Sequence, residues 1–163
     1  VPYNTPIDEI RAFNPHGIFI SNGPGSPADL PEVVELIKTL RGELPIMGIS
    51  LGHLLVGLAY GATVDQVKNG NRASARPIRN TITNRIEMTG MSMEYTIASD
   101  VESKTSLTIT HTNVLDGSVV GVECRKDKVF SVQYHPEGAP GATNDSAYLF
   151  DKFIKLMEDN KNA

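Results

Sequence analysis

The chain has 163 residues, 40% of them apolar and 21% charged, and a net charge of −4. That is room for one domain with a sizeable core, and the composition excludes a disordered chain. No apolar run approaches the roughly 20 residues of a membrane span, and no stripe of Lys and Arg offers the surface that phosphates need, so neither a membrane nor nucleic acid is expected as a partner.

In chain order, residues 6–13 read as a short helix, with Thr5 as N-cap and Pro6 in the first helical position. Residues 17–21 form an apolar, β-branched run, hence a buried strand. Two glycines and two prolines in 22–27 make a turn. Apolar residues at 30, 33, 34, 36, 37 and 40 carry a helical period, 45–49 is another buried strand, and 52–60 reads as a helix ending at Gly61. Strand, helix, strand, helix in succession argues an α/β domain with a parallel core.

The second half differs. Polar and apolar residues alternate in short pieces at 82–83, 85–88, 95–97 and 106–110, which predicts antiparallel strands and hairpins. Residues 119–123 and 129–134 are two further strands around a polar turn at 126–128, and 147–157 is an amphipathic closing helix. Residues 161–163 are expected to fray. The single cysteine, Cys124, excludes an internal disulfide, fits a reducing compartment and reads as a strand residue. Residues 1–5 carry no signal-peptide or transit-peptide pattern, and no spacing of Cys, His and carboxylates predicts a metal site.

Three segments carry candidate chemistry. Gly48-Ile49-Ser50-Leu51-Gly52 lies between a predicted strand and helix and has the G-x-S-x-G pattern of a nucleophile elbow. Small neighbours permit the sharp turn, and the helix start aims N–H groups and positive partial charge at the reacting centre. His135-Pro136-Glu137 follows a strand. If the backbone stays extended, as Pro136 favours, Glu137 lies on the same side as His135 and orients it as a general base. Gly23 and Gly25, in Asn22-Gly23-Pro24-Gly25, let backbone N–H groups approach an anion. Each segment alone is equally the mark of a structural turn or strand end. His16 and His53 suggest no role.

Together and in order, the three segments resemble the class I, triad-type glutamine amidotransferases. Residues 18–27 resemble that family's first loop, Gly48-Ile49-Ser50-Leu51-Gly52-His53 its nucleophile motif, and residues 131–137 its histidine–glutamate motif. The start at Val1-Pro2-Tyr3-Asn4-Thr5-Pro6, the stretch 110–119, and Pro140-Gly141 leading to 145–151 resemble the carbamoyl-phosphate synthetase small-subunit branch. The resemblance implies a flavodoxin-like three-layer α/β fold, with a mixed central sheet and a small antiparallel sheet, in one domain over 1–163. It implies Ser50, His135 and Glu137 as the catalytic set, and Gly23, Gly25, Leu51, Leu54, Ser92, Glu94 and Tyr95 around the substrate. It also implies glutamine as substrate, no cofactor, a cytoplasmic or mitochondrial-matrix location, and as partner a large synthetase subunit or fused synthetase domain making carbamoyl phosphate.

The chain departs from the family pattern at several positions. Ser50 stands where the family has cysteine. A hydroxyl is far less acidic than a thiol, and a ~1,000-fold loss of rate corresponds to about 4 kcal/mol of barrier. Leu54 stands where the family has a substrate-holding glutamine, Asn71 where it has histidine between Gly70 and Arg72, and Glu94 where it has glycine. The resemblance also implies a strand, a helix and most of a second strand ahead of Val1. Without a central strand, a hydrophobic seam and two unpaired edges are expected. A glutaminase domain impaired at Ser50, Leu54 and Glu94 is the leading expectation. The alternatives are a working hydrolase built on Ser50, His135 and Glu137, and a non-catalytic structural or ligand-binding module in which Met91, Met93 and Leu54 favour an apolar ligand.

Overall fold

The computed structural model describes residues 1–137 and 146–162, with the side chains of 69–74 outside the description. The elements run α1 (Ile7–Ala12), β1 (Ile18–Ile20), a 3₁₀ turn (Pro27–Asp29), α2 (Pro31–Leu40), β2 (Ile46–Ile49), α3 (Leu51–Ala59), β3 (Val64–Asn80), β4 (Ile86–Ile97), α4 (Val101–Lys104), β5 (Thr108–Asn113), β6 (Val119–Cys124), β7 (Val129–Val132) and α5 (Tyr148–Lys161). Seven strands form one sheet in the order β1-β2-β7-β6-β4-β3-β5, and β6 also pairs with β5. β1–β2 and β2–β7 are parallel, and the other pairings are antiparallel.

Strand alternation distributes the side chains between two cores. Ile46 of β2 and Val129 of β7 pack with Ile37 and Leu40 of α2 and Leu55 of α3 on one face. Met47 and Ile49 of β2, with Phe130 and Val132 of β7, pack with Leu149 and Phe153 of α5 on the other. This is the expected three-layer arrangement. Buried Glu123 of β6 helps fasten α5. Burial alone would raise its carboxyl pKa, but Lys152 Nζ at 2.7 Å and Arg125 Nε at 2.9 Å outweigh that and hold it below the usual range.

Several local expectations are corrected. Thr5 does not cap α1: its hydroxyl donates to the Pro2 carbonyl at 2.7 Å, and Pro6 is the N-cap. β1 is not fully buried, because it is an edge strand and Phe19 is 46% exposed. Ile82 and Thr83 form a turn, since Asn80 Oδ1 accepts both their N–H groups, at 3.0 and 3.2 Å. The short pieces between 63 and 97 are two long strands, 17 and 12 residues, with register shifts between Gln66/Asn71 and Ala73/Arg76 that break the alternation in sequence. The strand expected at 106–110 runs from Thr108 to Asn113, and α4 precedes it. The antiparallel strands join the parallel core in one sheet instead of forming a small sheet of their own.

The sheet runs unbroken through the described strands, with β1 at one edge. An apolar cleft of about 600 Å³ borders that edge, lined by Tyr3, Phe13, Ile18, Ile20, Val33 and Leu51 among others. The Pro140, Gly141 and Asp145 positions of the resemblance, the side chains of Asn71 and Arg72, and Ala163 at the expected frayed end lie outside the described residues.

Candidate active site

β2 passes into α3 through Ser50 alone, which has φ 54° and ψ −108°. A non-glycine residue in such a conformation costs on the order of 1–3 kcal/mol and persists only where its surroundings enforce it. Here the Ser50 N–H donates to the Val132 carbonyl of β7 at 2.9 Å, and the Ser50 carbonyl accepts from Leu54 N–H at 3.2 Å. The two glycines of the motif have a steric cause. A Cβ at Gly52 would overlap the Ile20 carbonyl oxygen of β1, and one at Gly48 would lie 2.7 Å from the Gly52 oxygen. α3 therefore starts closer to the sheet than any side chain permits. Leu51, its first residue, presents an N–H that has no helical acceptor.

Ser50 and Leu51 line a cleft of about 440 Å³ together with Asn22, Gly23, Pro24, Gly25, Leu54, Ser92, Glu94, Tyr95, Gln133 and His135. His135 is placed from two sides. Its backbone N–H donates to the Gly90 carbonyl of β4 at 2.9 Å, and its ring Nδ1 lies 2.8 Å from Glu137 Oε1. Their side chains are 26% and 56% exposed. A pair so open to water orients the ring more than it stabilises the fold. With Nδ1 held by Glu137, Nε2 is the nitrogen left for proton transfer. Opposite, Gly25 has φ +97°, a conformation that favours glycine, while a Cβ at Gly23 would meet Leu51 Cδ2 at an ordinary contact of 3.4 Å.

All ten residues named from sequence are in this region: nine line the cleft, and Glu137 joins it through the His135 ring. Met91 and Met93 do not line it. They point to the opposite face of β4 and pack with Ile49, Phe130 and Leu149, which leaves Leu54 as the member of that trio that lines the cleft. Asn22, Pro24 and Gln133 line the cleft without having been singled out, although they flank the motif residues directly. Among the described residues, no group of three or more His, Cys, Asp or Glu side chains could hold a metal ion.

His53 acquires a place that its neighbours in sequence did not suggest. It is fully buried on the α3 face toward the sheet, and its Nδ1 lies 2.8 Å from Ser131 Oγ on β7. Burial pushes its pKa down to about 3. A hydrogen bond with Ser131 pulls upward, and nearby His111 lowers it further. The ring is therefore neutral in the folded chain at pH 7. Three residues beyond Ser50, it lies on the helix face that meets the sheet, and that spacing was the available signal. In the unfolded chain the ring titrates near 6.5, so between pH 6.5 and about 3 unfolding takes up one proton that the fold refuses. Stability contributed by the neutral ring is full above 6.5 and falls by roughly 1.4 kcal/mol per pH unit as acid is added, until about pH 3. Urea midpoints across this window are expected to slope less steeply for His53→Gln than for the native chain. Equal slopes would remove His53 as the source.

The family profile for "Glutamine amidotransferase class-I" matches residues 1–156. The chain belongs to the class I glutamine amidotransferase family. Within it, the chain is 45% identical over 162 residues to the carbamoyl phosphate synthase pyrimidine-specific small chain of Halalkalibacterium halodurans, covering 99% of this chain and 44% of that one. It is 42% identical over 158 residues to the corresponding small chain of Bacillus subtilis, covering 97% and 43%. The chain thus spans a little under half the length of these curated relatives. Among solved structures, a GMP synthase-type protein from Thermoplasma acidophilum matches with TM-score 0.79 at 16% identity, over 99% of this chain and 81% of that one. A glutamine amidotransferase from Thermotoga maritima matches with TM-score 0.60 at 18% identity, over 86% and 62%. The fold is the α/β flavodoxin-like fold of this family.

Proposed function

We propose that this chain is the glutamine-binding, ammonia-supplying unit of a carbamoyl-phosphate-forming enzyme, with hydrolysis weak or absent because serine occupies the nucleophile position. One observation carries the reading. A serine held at a strained strand-to-helix turn shares a cleft with a histidine whose ring lies 2.8 Å from a carboxylate. Glutamine would place its side-chain amide against Ser50 Oγ. The oxygen attacks the amide carbon while His135 takes the hydroxyl proton on Nε2 and Glu137 holds Nδ1. Backbone N–H groups of Leu51 and of the 23–25 turn face the developing oxyanion. The imidazolium then gives its proton to the departing ammonia. Water, deprotonated by the same ring, releases glutamate from the acyl-ester, and ammonia passes to a large synthetase partner in the cytoplasm.

Two lining residues support the impaired form. Leu54 offers no polar atom to the substrate, and the Glu94 carboxylate sits in the same cleft that would take the substrate's own carboxylate. A second reading, a working serine hydrolase acting on another amide or ester, is favoured by the presence of serine, base and orienting carboxylate together. Labelling by a serine-reactive phosphonate, measured beside Ser50→Ala, separates the two, since only a base-activated serine reacts quickly. Rapid labelling that disappears in Ser50→Ala would establish the hydrolase. A native chain labelled no faster than Ser50→Ala supports the impaired unit.

A further inference from the structure

Tyr148 begins α5 and does not line the cleft, yet its hydroxyl is the meeting point of a buried polar cluster. It donates to Glu87 Oε2 at 3.0 Å, accepts from Asn80 Nδ2 at 3.2 Å, and lies 2.7 Å from His111 Nε2. The other ring nitrogen of His111 is 2.8 Å from Thr110 Oγ1, and Glu87 Oε2 is 3.5 Å from His111 Nε2. Burial, followed by the carboxylate of Glu87, pushes the Tyr148 phenol well up, so it remains a donor at every physiological pH. One hydroxyl thereby ties together β3, β4, β5 and the start of α5. Glu87 and His111 are almost completely buried, and polar groups in that position lose heavily when a partner is withdrawn.

The cluster reaches His135 by two short routes. Tyr134, its immediate neighbour, is fully buried and sets its ring edge-on against His111, with centroids 5.7 Å apart at 72°. Tyr134 thus faces the cluster, while His135 lines the cleft. The second route is β4, which carries Glu87 and, three residues on, Gly90, whose carbonyl accepts the His135 N–H at 2.9 Å. Both the residue before His135 and the strand that holds its backbone touch the cluster that this hydroxyl joins.

We propose that Tyr148 is a positioning residue for His135: its hydroxyl, acting through Glu87 and His111, fixes the direction in which the ring enters the cleft. The inference rests on the proposed function only in treating His135 as the base, and its test does not need turnover. The chain has four histidines, so the ring carbon–proton spectrum resolves each. Tyr148→Phe is expected to shift the His135 signal and broaden it about twofold as the ring samples more than one direction. Tyr60→Phe removes another tyrosine hydroxyl, bonded to Asp127 at 2.8 Å and outside this cluster, and is expected to leave the signal in place. Thr110→Val, isosteric and acting only on His111, is expected to move His135 in the same direction by less, and it decides the matter if Tyr148→Phe does not fold. An unchanged His135 signal in the folded variants, or an equal change in Tyr60→Phe, would overturn the proposal. Phosphonate labelling, measured separately, decides the reading of the site itself.

Discussion

Ser50→Cys is expected to raise ammonia release from glutamine by about 1,000-fold over the native chain, roughly 4 kcal/mol of barrier. A thiol is partly ionised near neutral pH and needs little help from a base during attack, whereas a hydroxyl needs its proton removed as the bond forms. The turn that holds residue 50 depends on the backbone bond to Val132, on Gly48 and on Gly52, and none of these involves the Ser50 side chain. The substitution therefore changes the nucleophile and leaves its presentation alone. The gain should appear in kcat, while KM stays high, because Leu54 and Glu94 still line the substrate cleft. Ammonia release against glutamine concentration measures both. Silence in a folded Ser50→Cys chain would place the loss in the pocket, with Leu54→Gln added to Ser50→Cys as the next variant.

The second large effect concerns stability. Gly52→Ala is expected to cost about 3–5 kcal/mol, a large part of what a domain of this size has in reserve. A methyl group there would overlap the Ile20 carbonyl of β1, so either α3 or the edge strand must move. That motion also displaces Leu51 and the elbow. Gly61→Ala is the comparison. Gly61 has φ +91° with nothing within 4 Å of a built Cβ, so its substitution carries backbone strain alone, about 1 kcal/mol. Urea denaturation of the two variants separates overlap from strain, and equal costs would contradict the overlap account.

Much of this was legible in the sequence, for physical reasons that differ from place to place. The parallel core was readable because strand, helix, strand and helix follow one another, and β2, buried on both faces, appears as an unbroken apolar run. The Ser50 turn and the His135–Glu137 pair were readable because the chemistry confines each to a few consecutive residues. The long hairpin of β3 and β4 was not, since its bulges shift the alternation that marks a strand. Ile82 was misplaced because a β-branched residue looks like a strand even when the Asn80 side chain has already folded the backbone into a turn. His53 was passed over because its significance lies in Ser131, 78 residues away. The cluster around Tyr148 is likewise invisible until β3, β4, β5 and α5 meet.

The place of β7 in the sheet has a consequence for how the chain reaches its native state. β7 lies between β2 and β6, so the strand that completes the parallel core comes from the last quarter of the sequence. On a ribosome making protein from the N-terminus, β1, β2 and α3 emerge long before the strand that must pair with β2 and accept the Ser50 N–H. The elbow cannot take its shape during that interval. Its assembly waits on contacts of high sequence separation, which are slow to form and leave apolar edges open meanwhile. The same residues that make the site when the chain is whole are thus the ones most exposed to misassociation while it is being made.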